Sequence, residues 1–462
     1  MVNELHIFRK LTTSGVEIKV RKKKYELSYP RRIWKKFPKP LHKIFADSLS
    51  YLATWHLPLI ENGSLVYHFS HPIVEPIIFK ILLYSIASSV FQKKEPKNSE
   101  LIRNFFNYNS QTRYKALNYN FSGKKLKKSL KERAILLFSF GKDSLLTYGL
   151  LDELGVGINL FFMKEPQCAF ENSHKKKLAD RFYKKFKKDV SIIPLSFGRL
   201  RQEDQSYWGW DILLSQYVFV LIPYLFYHQA KYIFLGNEQS CNYNALDDEG
   251  YLVNPVYEQS VAGMQLLQEI PKHFSINTHL GSLVEPIHEI FISYILHHRY
   301  PDIGRFQMSC FSDDPEAKKS LWCGNCEKCA RMYIFFKALG VDPEKIGFRS
   351  KQMLNSGKKD LYAIFGEVTK DSAYGGSGLG RDEQLLAFLL AYKNGTKGEL
   401  IDQFAELYLD EAEKRKDKLV KEFFGIHTSY SLPSSLRKKT IRIFEKEQVE
   451  ALEYVNKLLV QN

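Results

Sequence analysis

The sequence predicts an α/β protein centred on a doubly wound parallel sheet that begins near Arg133, with a small α+β unit before it and a helical region after it. Three observations carry that prediction. Beyond Arg133, short unbroken apolar runs alternate with helical periodicity, the pattern of strands buried on both faces and their crossover helices. The first 125 residues instead mix period-two stretches with amphipathic helices. From Gly347 the chain is charged and reads as helix.

Taken in order, Leu5–Leu11 and Val16–Tyr29 read as strands joined by a turn at Thr12–Gly15, followed by helices near Pro40–Trp55 and Glu75–Phe91. A polar connection, Lys93–Lys131, leads to the sheet. Its expected strands are Ala134–Phe138, Gly157–Met163, Val190–Leu195 and Tyr232–Leu235. Between them fall a helix through Leu154, a basic helix Lys175–Lys188 and a long apolar helix Asp211–Gln229. In the basic helix, Leu178, Phe182 and Phe186 share one stripe and lysines cover the other faces. The expected domains are residues 1–125, 133–345 and 347–462, the last opening with a glycine cluster at Gly375–Gly380. Ligands of such a sheet bind outside the carboxyl ends of its strands.

Composition narrows the classes. With 44% hydrophobic and 26% charged residues the chain is globular, not disordered. The apolar run Val74–Phe91 carries Glu75 and Lys80; Ile212–Tyr227 is short and contains Gln216 and Pro223, so both read as buried helices and no membrane insertion is expected. Met1–His6 lacks the basic-then-apolar pattern of a secretory signal, and a cytoplasmic location is expected. The net charge of +16, concentrated at Arg21–Lys24, Lys124–Arg133 and His174–Lys188, suits a phosphate-rich substrate or a nucleic-acid partner. A solvated basic helix face accounts for the last cluster more simply.

The sharpest local signal is Ser139-Phe140-Gly141-Lys142-Asp143-Ser144, between a buried strand and a helix. A glycine admits close approach of an anion, and the helix N-terminus adds N–H donors and a positive dipole end. Ser139 and Ser144 can donate to phosphate oxygens, Lys142 can neutralise them and Asp143 can hold Mg2+. The competing reading is an ordinary strand-to-helix turn with a serine cap. Lys142 and Asp143 are expected on an exposed loop. Asn237 and Glu238 directly follow the fourth strand, at the same sheet edge, where they can bind Mg2+ or substrate or merely cap the strand end. Glu285, His288 and Glu289 have the spacing of one helix face.

Cys310, Cys323, Cys326 and Cys329 are separated by twelve, two and two residues, which lets four thiolates converge on one ion, with Gly324 permitting the tight turn. Four thiolates make a closed, structural Zn2+ site; an iron–sulfur cluster is the rival. Cys168 and Cys241 stand apart and read as buried residues.

Together these motifs resemble the PP-loop ATP pyrophosphatase superfamily, whose loop is usually Ser-Gly-Gly-x-Asp-Ser; Phe140 replaces the first glycine here. The pattern Ser309-Cys310 with Trp322-Cys-Gly-x-Cys-x-Lys-Cys329 is similar to 7-cyano-7-deazaguanine synthase. It is closer to the UDP-N-acetylmuramoyl-L-alanyl-L-glutamate epimerase family, as are Asn237–Ser240, Val253-Asn254 and the Ser282–Glu289 stretch. The resemblance covers about Arg133–Gly340. It implies a Rossmann-like domain that splits ATP to AMP and pyrophosphate and adenylates a small-molecule carboxylate, with Lys142, Asp143 and Glu238 as catalytic candidates and Ser139, Gly141, Ser144 and Asn237 holding nucleotide. Epimerisation follows if a base removes the acidified α-proton, with Glu238, His288 and Glu289 as candidates; amidation or nitrile formation follows if ammonia attacks. A tRNA-modifying enzyme of the same superfamily, or a non-catalytic protein with a degenerate loop, are the alternatives.

Overall fold

Period-two burial builds the first sheet. The computed structural model describes residues 3–61, 63–93, 97–116, 129–201, 210–310, 314–349, 352–366 and 378–460, with the backbone alone described at 3, 86–93 and 211. Strand β1 (Asn3–Leu11) buries Leu5 and Ile7 and exposes Glu4, His6 and Phe8. It pairs antiparallel with β2 (Gly15–Val20), which pairs antiparallel with β3 (Lys23–Ser28). The expected single strand Val16–Tyr29 is thus two. Arg21 adopts φ +53°, the left-handed conformation a two-residue hairpin turn needs, without the glycine or asparagine that would have announced it. On the other side of β1, β4 (Gly63–Ser70) and β5 (Arg113–Ala116) add in parallel, giving the order β3-β2-β1-β4-β5. The helix Asn98–Ser110 and β5 lie in the segment expected to be a plain polar connection; its residues 94–96 and 117–128 lie outside the described residues.

The second sheet is all parallel. Its strands β6 (Lys131–Leu137), β7 (Gly157–Lys164), β8 (Val190–Pro194) and β9 (Ala230–Phe234) stand where the apolar runs predict them. A short hairpin, β10 (Ala245–Leu246) with β11 (Leu252–Val253), precedes an unanticipated fifth strand, β12 (His279–Gly281). The order is β12-β9-β6-β7-β8. The chain runs outward from β6 to β8, then returns to the far side of β6 for β9 and β12. The loops after β6 and β9 therefore open side by side at the carboxyl edge, where the winding reverses.

Both faces of this sheet are covered, which is why β6 has no polar residue in its middle. Ala134 and Leu136 pack with the helices Lys142–Glu153, Ala169–Phe186 and Glu289–His298 and with the C-terminal helices Gly378–Lys393, Glu399–Phe423 and Ser434–Val460. Ile135 packs on the other side with the helix Leu213–His228 and with the N-terminal unit. That second core is continuous: Phe45 of the helix Lys39–Thr54 meets Phe219, and Tyr29 Oη donates to the Val220 carbonyl at 2.9 Å. No helix among the described residues is long and apolar enough to cross a membrane.

Candidate functional site

Between β6 and the Lys142–Glu153 helix, Phe140 turns the chain with φ +58°. Its ring is fully buried, 4.6 Å from Phe138 and 5.8 Å from Phe182 between centroids, so it points into the core and leaves the loop's outer side clear. A left-handed residue with a side chain costs ~1–2 kcal/mol, which explains why glycine suits this position and why Phe140 needs its core contacts to offset the strain. Gly141 is the N-cap of the helix, and no side chain caps it, so the serine-cap reading does not hold. The amides of Gly141 and Lys142 point at the hydroxyls of Ser139 and Ser309, each at a long 3.4 Å. Ser144 Oγ donates back to the Gly141 carbonyl at 3.0 Å. Gly236, after β9, is needed because a Cβ there would sit 2.7 Å from Asp143 Cβ.

Lys142 is not on an exposed loop. It is 4% exposed, and its Nζ lies 2.8 Å from Asp143 Oδ1 and 3.2 Å from Glu289 Oε1. Glu289 Oε2 in turn lies 2.9 Å from Arg331 Nε, an ion pair whose geometry falls short of a hydrogen bond. Glu383, from the Gly378–Lys393 helix, accepts the Ile290 amide at 2.8 Å through Oε1, while its Oε2 is buried with no hydrogen-bond partner among the described residues. Both carboxyl oxygens of Glu327 are likewise buried with no hydrogen-bond partner among the described residues. Asp143, Glu238, Glu289, Glu327 and Glu383 thus crowd around two cations, Lys142 and Arg331.

That surplus of negative charge governs protonation. Burial, then the Glu289 charge, pushes Glu238 up to about 8 despite Lys142 nearby. Glu383 is driven well above the carboxylate range by burial and by Glu289 and Glu238. Asp143 is raised by burial against the pull of Lys142. Burial also opposes ionisation of Glu289, but Arg331 and Lys142 outweigh it and hold that carboxyl below its usual value. Burial disfavours the Lys142 ammonium, yet Asp143, Glu289 and Glu238 together raise it. Held near neutral pH, the group keeps protons in place of missing positive charge.

The other predicted residues divide. Asn237 is buried, with its Nδ2 unpartnered beside the loop. Glu238 caps not the strand end but the following turn, Gln239–Asn242: it accepts the Ser240 amide at 2.7 Å and the Ser240 hydroxyl, while also facing Glu289 and Lys142. Glu285, His288 and Glu289 do not share a helix face, because the helix starts only at Glu289. Glu285 accepts the Tyr430 and Ser431 amides at 2.9 and 2.7 Å, and His288 turns to Glu422. Cys241 is buried as expected; Cys168 is only half-buried, at the start of the Ala169–Phe186 helix.

The four cysteines do converge. All are buried, none is in a disulfide, and their sulfurs lie within 4.8 Å of one another, with 3.8 Å between Cys323 and Cys329 and 4.0 Å between Cys310 and Cys326. Four thiolates about 2.3 Å from one tetrahedral ion would stand ~3.8 Å apart, so the set fits a metal. Gly324, at φ +70°, makes the turn between two of them. Asp313 of the connecting loop lies outside the described residues.

Sequence reasoning missed the links between these two groups. The Phe140 carbonyl accepts the Met308 amide at 2.8 Å, and Lys142 N reaches Ser309 Oγ, one residue before Cys310. Lys175 is buried, not solvated: its Nζ donates to the Ser139 carbonyl and, at 3.1 Å, to that of Met308. Arg331, two residues beyond Cys329, and Glu327, between Cys326 and Cys329, were the missed hub residues with a nearby signal. No family model, curated protein or solved structure matches the chain.

Proposed function

We propose that the chain is a PP-loop ATP pyrophosphatase on a Rossmann-like sheet that adenylates the carboxylate of a small molecule, with a structural zinc ion in the four-cysteine group. The observation that supports it most is the uncapped helix start at Gly141–Ser144, opening where the sheet reverses, beside a buried surplus of carboxylates. Poorly bonded amides suit phosphate oxygens. The carboxylate surplus and the unpartnered Asn237 Nδ2 suit a divalent ion and a polar ligand at the same edge.

In this reading the amides of Gly141 and Lys142 exchange their 3.4 Å contacts for phosphate, and Lys142 moves from Asp143 toward the leaving pyrophosphate. Asp143 and Glu238 would hold magnesium, which when bound offsets charge developing on the pyrophosphate. Lys175 and Ser309 keep the loop rigid against the cysteine module. Epimerisation is the fate of the adenylate we carry forward from the sequence resemblance; Glu289, locked between Lys142 and Arg331, is not its base. The test is product analysis with labelled ATP, magnesium and UDP-N-acetylmuramoyl-L-alanyl-L-glutamate among other carboxylates. AMP with pyrophosphate is expected; ADP with phosphate as main products would overturn the proposal.

A further inference from the structure

Next to Glu289 in the chain, three side chains from three segments converge. His288 immediately precedes the Glu289–His298 helix, Glu422 closes the Glu399–Phe423 helix, and His427 lies in the loop that follows. Their donor atoms fall within 4.8 Å of one another. His288 Nε2 and Glu422 Oε1 are 3.2 Å apart, close to the ~3.3 Å separating two donors on one tetrahedral ion with bonds near 2.0 Å. The two imidazoles meet edge to face, 4.8 Å between centroids. His427 is fixed by its amide donating to the Pro286 carbonyl at 2.8 Å and by a 2.9 Å contact from its Nε2 to the Glu422 carbonyl.

A second observation separates this cluster from an ordinary ion pair. His288 is 1% exposed, and its Nε2 faces Glu422 Oε1 from inside the protein. The Glu422 side chain, by contrast, is 47% exposed, which gives an ion a way in and leaves room for water in a remaining position. Two imidazoles and one carboxylate select a first-row transition ion over Mg2+ or Ca2+, which prefer all-oxygen sites.

We propose that His288, Glu422 and His427 form a second metal site, binding one divalent transition ion of the zinc or cobalt class. It is separate from the four-cysteine group and does not depend on the ATP reading. The ion ties the C-terminal helices to the residue next to Glu289. The test loads the full chain with Zn2+ and then with Co2+, reading bound metal per chain and the visible spectrum. Wild type should take up a second equivalent, seen with Co2+ as weak ligand-field bands without thiolate charge transfer. His427→Gln and Glu422→Gln, both at accessible positions, should each lose that equivalent while keeping the cysteine-bound one. A single equivalent in wild type, or an unchanged second equivalent in both variants, overturns the site. If either variant unfolds, circular dichroism will show it, and the wild-type stoichiometry and spectrum still decide.

Discussion

One helix serves two groups that are built on opposite plans. The first turns of Glu327–Ala338 give Cys329 to the sulfur cluster and Glu327 and Arg331 to the carboxylate hub. The cluster takes all its donors from the stretch Cys310–Cys329, and they fit one ion without further help. The hub gathers Asp143, Glu238, Glu289, Arg331 and Glu383 from five separate elements and holds more carboxyls than cations. A group complete in itself stabilises the fold; a group short of positive charge is arranged to receive it. That difference is what the following experiments can break.

The largest effect is expected at the hub. Asp143→Asn should lower pyrophosphate release by ~100-fold or more with little change in thermal stability, by analogy with the loss of one preorganised electrostatic contact. Wild-type turnover would remove the nucleotide-loop assignment. Lys142→Ala is a poorer probe: Lys142 is buried between Asp143 and Glu289, and leaving those charges unpaired should also cost ~3–5 kcal/mol of stability.

At the sulfur cluster the order of effects should reverse. Cys326→Ser should lose about one zinc per chain and several kcal/mol of local folding energy, with activity falling as a consequence of unfolding. Iron and a brown colour in the wild type would instead mark an electron-carrying cluster and favour a tRNA-modifying role.

Protonation sharpens the contrast further. Glu238 is raised to about 8 from an ordinary 4.5, so its contribution to stability is complete below pH 4.5 and is lost as the pH climbs through 8. Glu238→Gln should flatten that decline by about 3 kcal/mol or less, the neighbouring carboxyls sharing the effect. Magnesium added with ATP near pH 7 should release protons, fewer above pH 8, measurable by calorimetry in buffers of different ionisation enthalpy. Unchanged proton release in Glu238→Gln would take that residue out of the ion's neighbourhood.

The smallest effect separates strain from packing. Phe140→Gly would relieve ~1–2 kcal/mol of left-handed strain but forfeit ~3–5 kcal/mol of buried aromatic contact, a net loss near 2 kcal/mol. ATP turnover should stay within a few-fold, since the ring faces Phe138 and Phe182 and not the ligand. A large drop in turnover at constant stability would place Phe140 in the pocket after all.

What was legible in the sequence follows from range. Ala134–Phe138 read as a buried strand because both its neighbours in space are apolar, and the cysteines read as a site because their spacing alone brings them together. Arg21 and β12 were not legible: one takes a turn conformation unusual for its type, and the other is three residues long. Lys175 looked solvated because it belongs to the lysines outside the Leu178, Phe182 and Phe186 stripe, although its Nζ, 3.6 Å from Glu171, donates to backbone carbonyls more than 30 residues away in sequence. Glu383 lies in a region with no motif and reaches the hub only through the packing of the C-terminal helices.

The core shared between the N-terminal unit and the sheet sets a timetable for synthesis. Phe45, Leu52 and Tyr29 are among the first residues made, but their partners Phe219, Gln216 and Val220 are encoded some 165 to 190 residues later. At ~5–20 residues per second a ribosome needs roughly 10–40 s to deliver them. Through that interval a finished amphipathic sheet and helix must wait with an apolar side uncovered. The nascent chain is therefore expected to depend on a holding chaperone, and a stall engineered between Ala116 and Leu213 should turn the same sequence from a folding protein into an aggregating one.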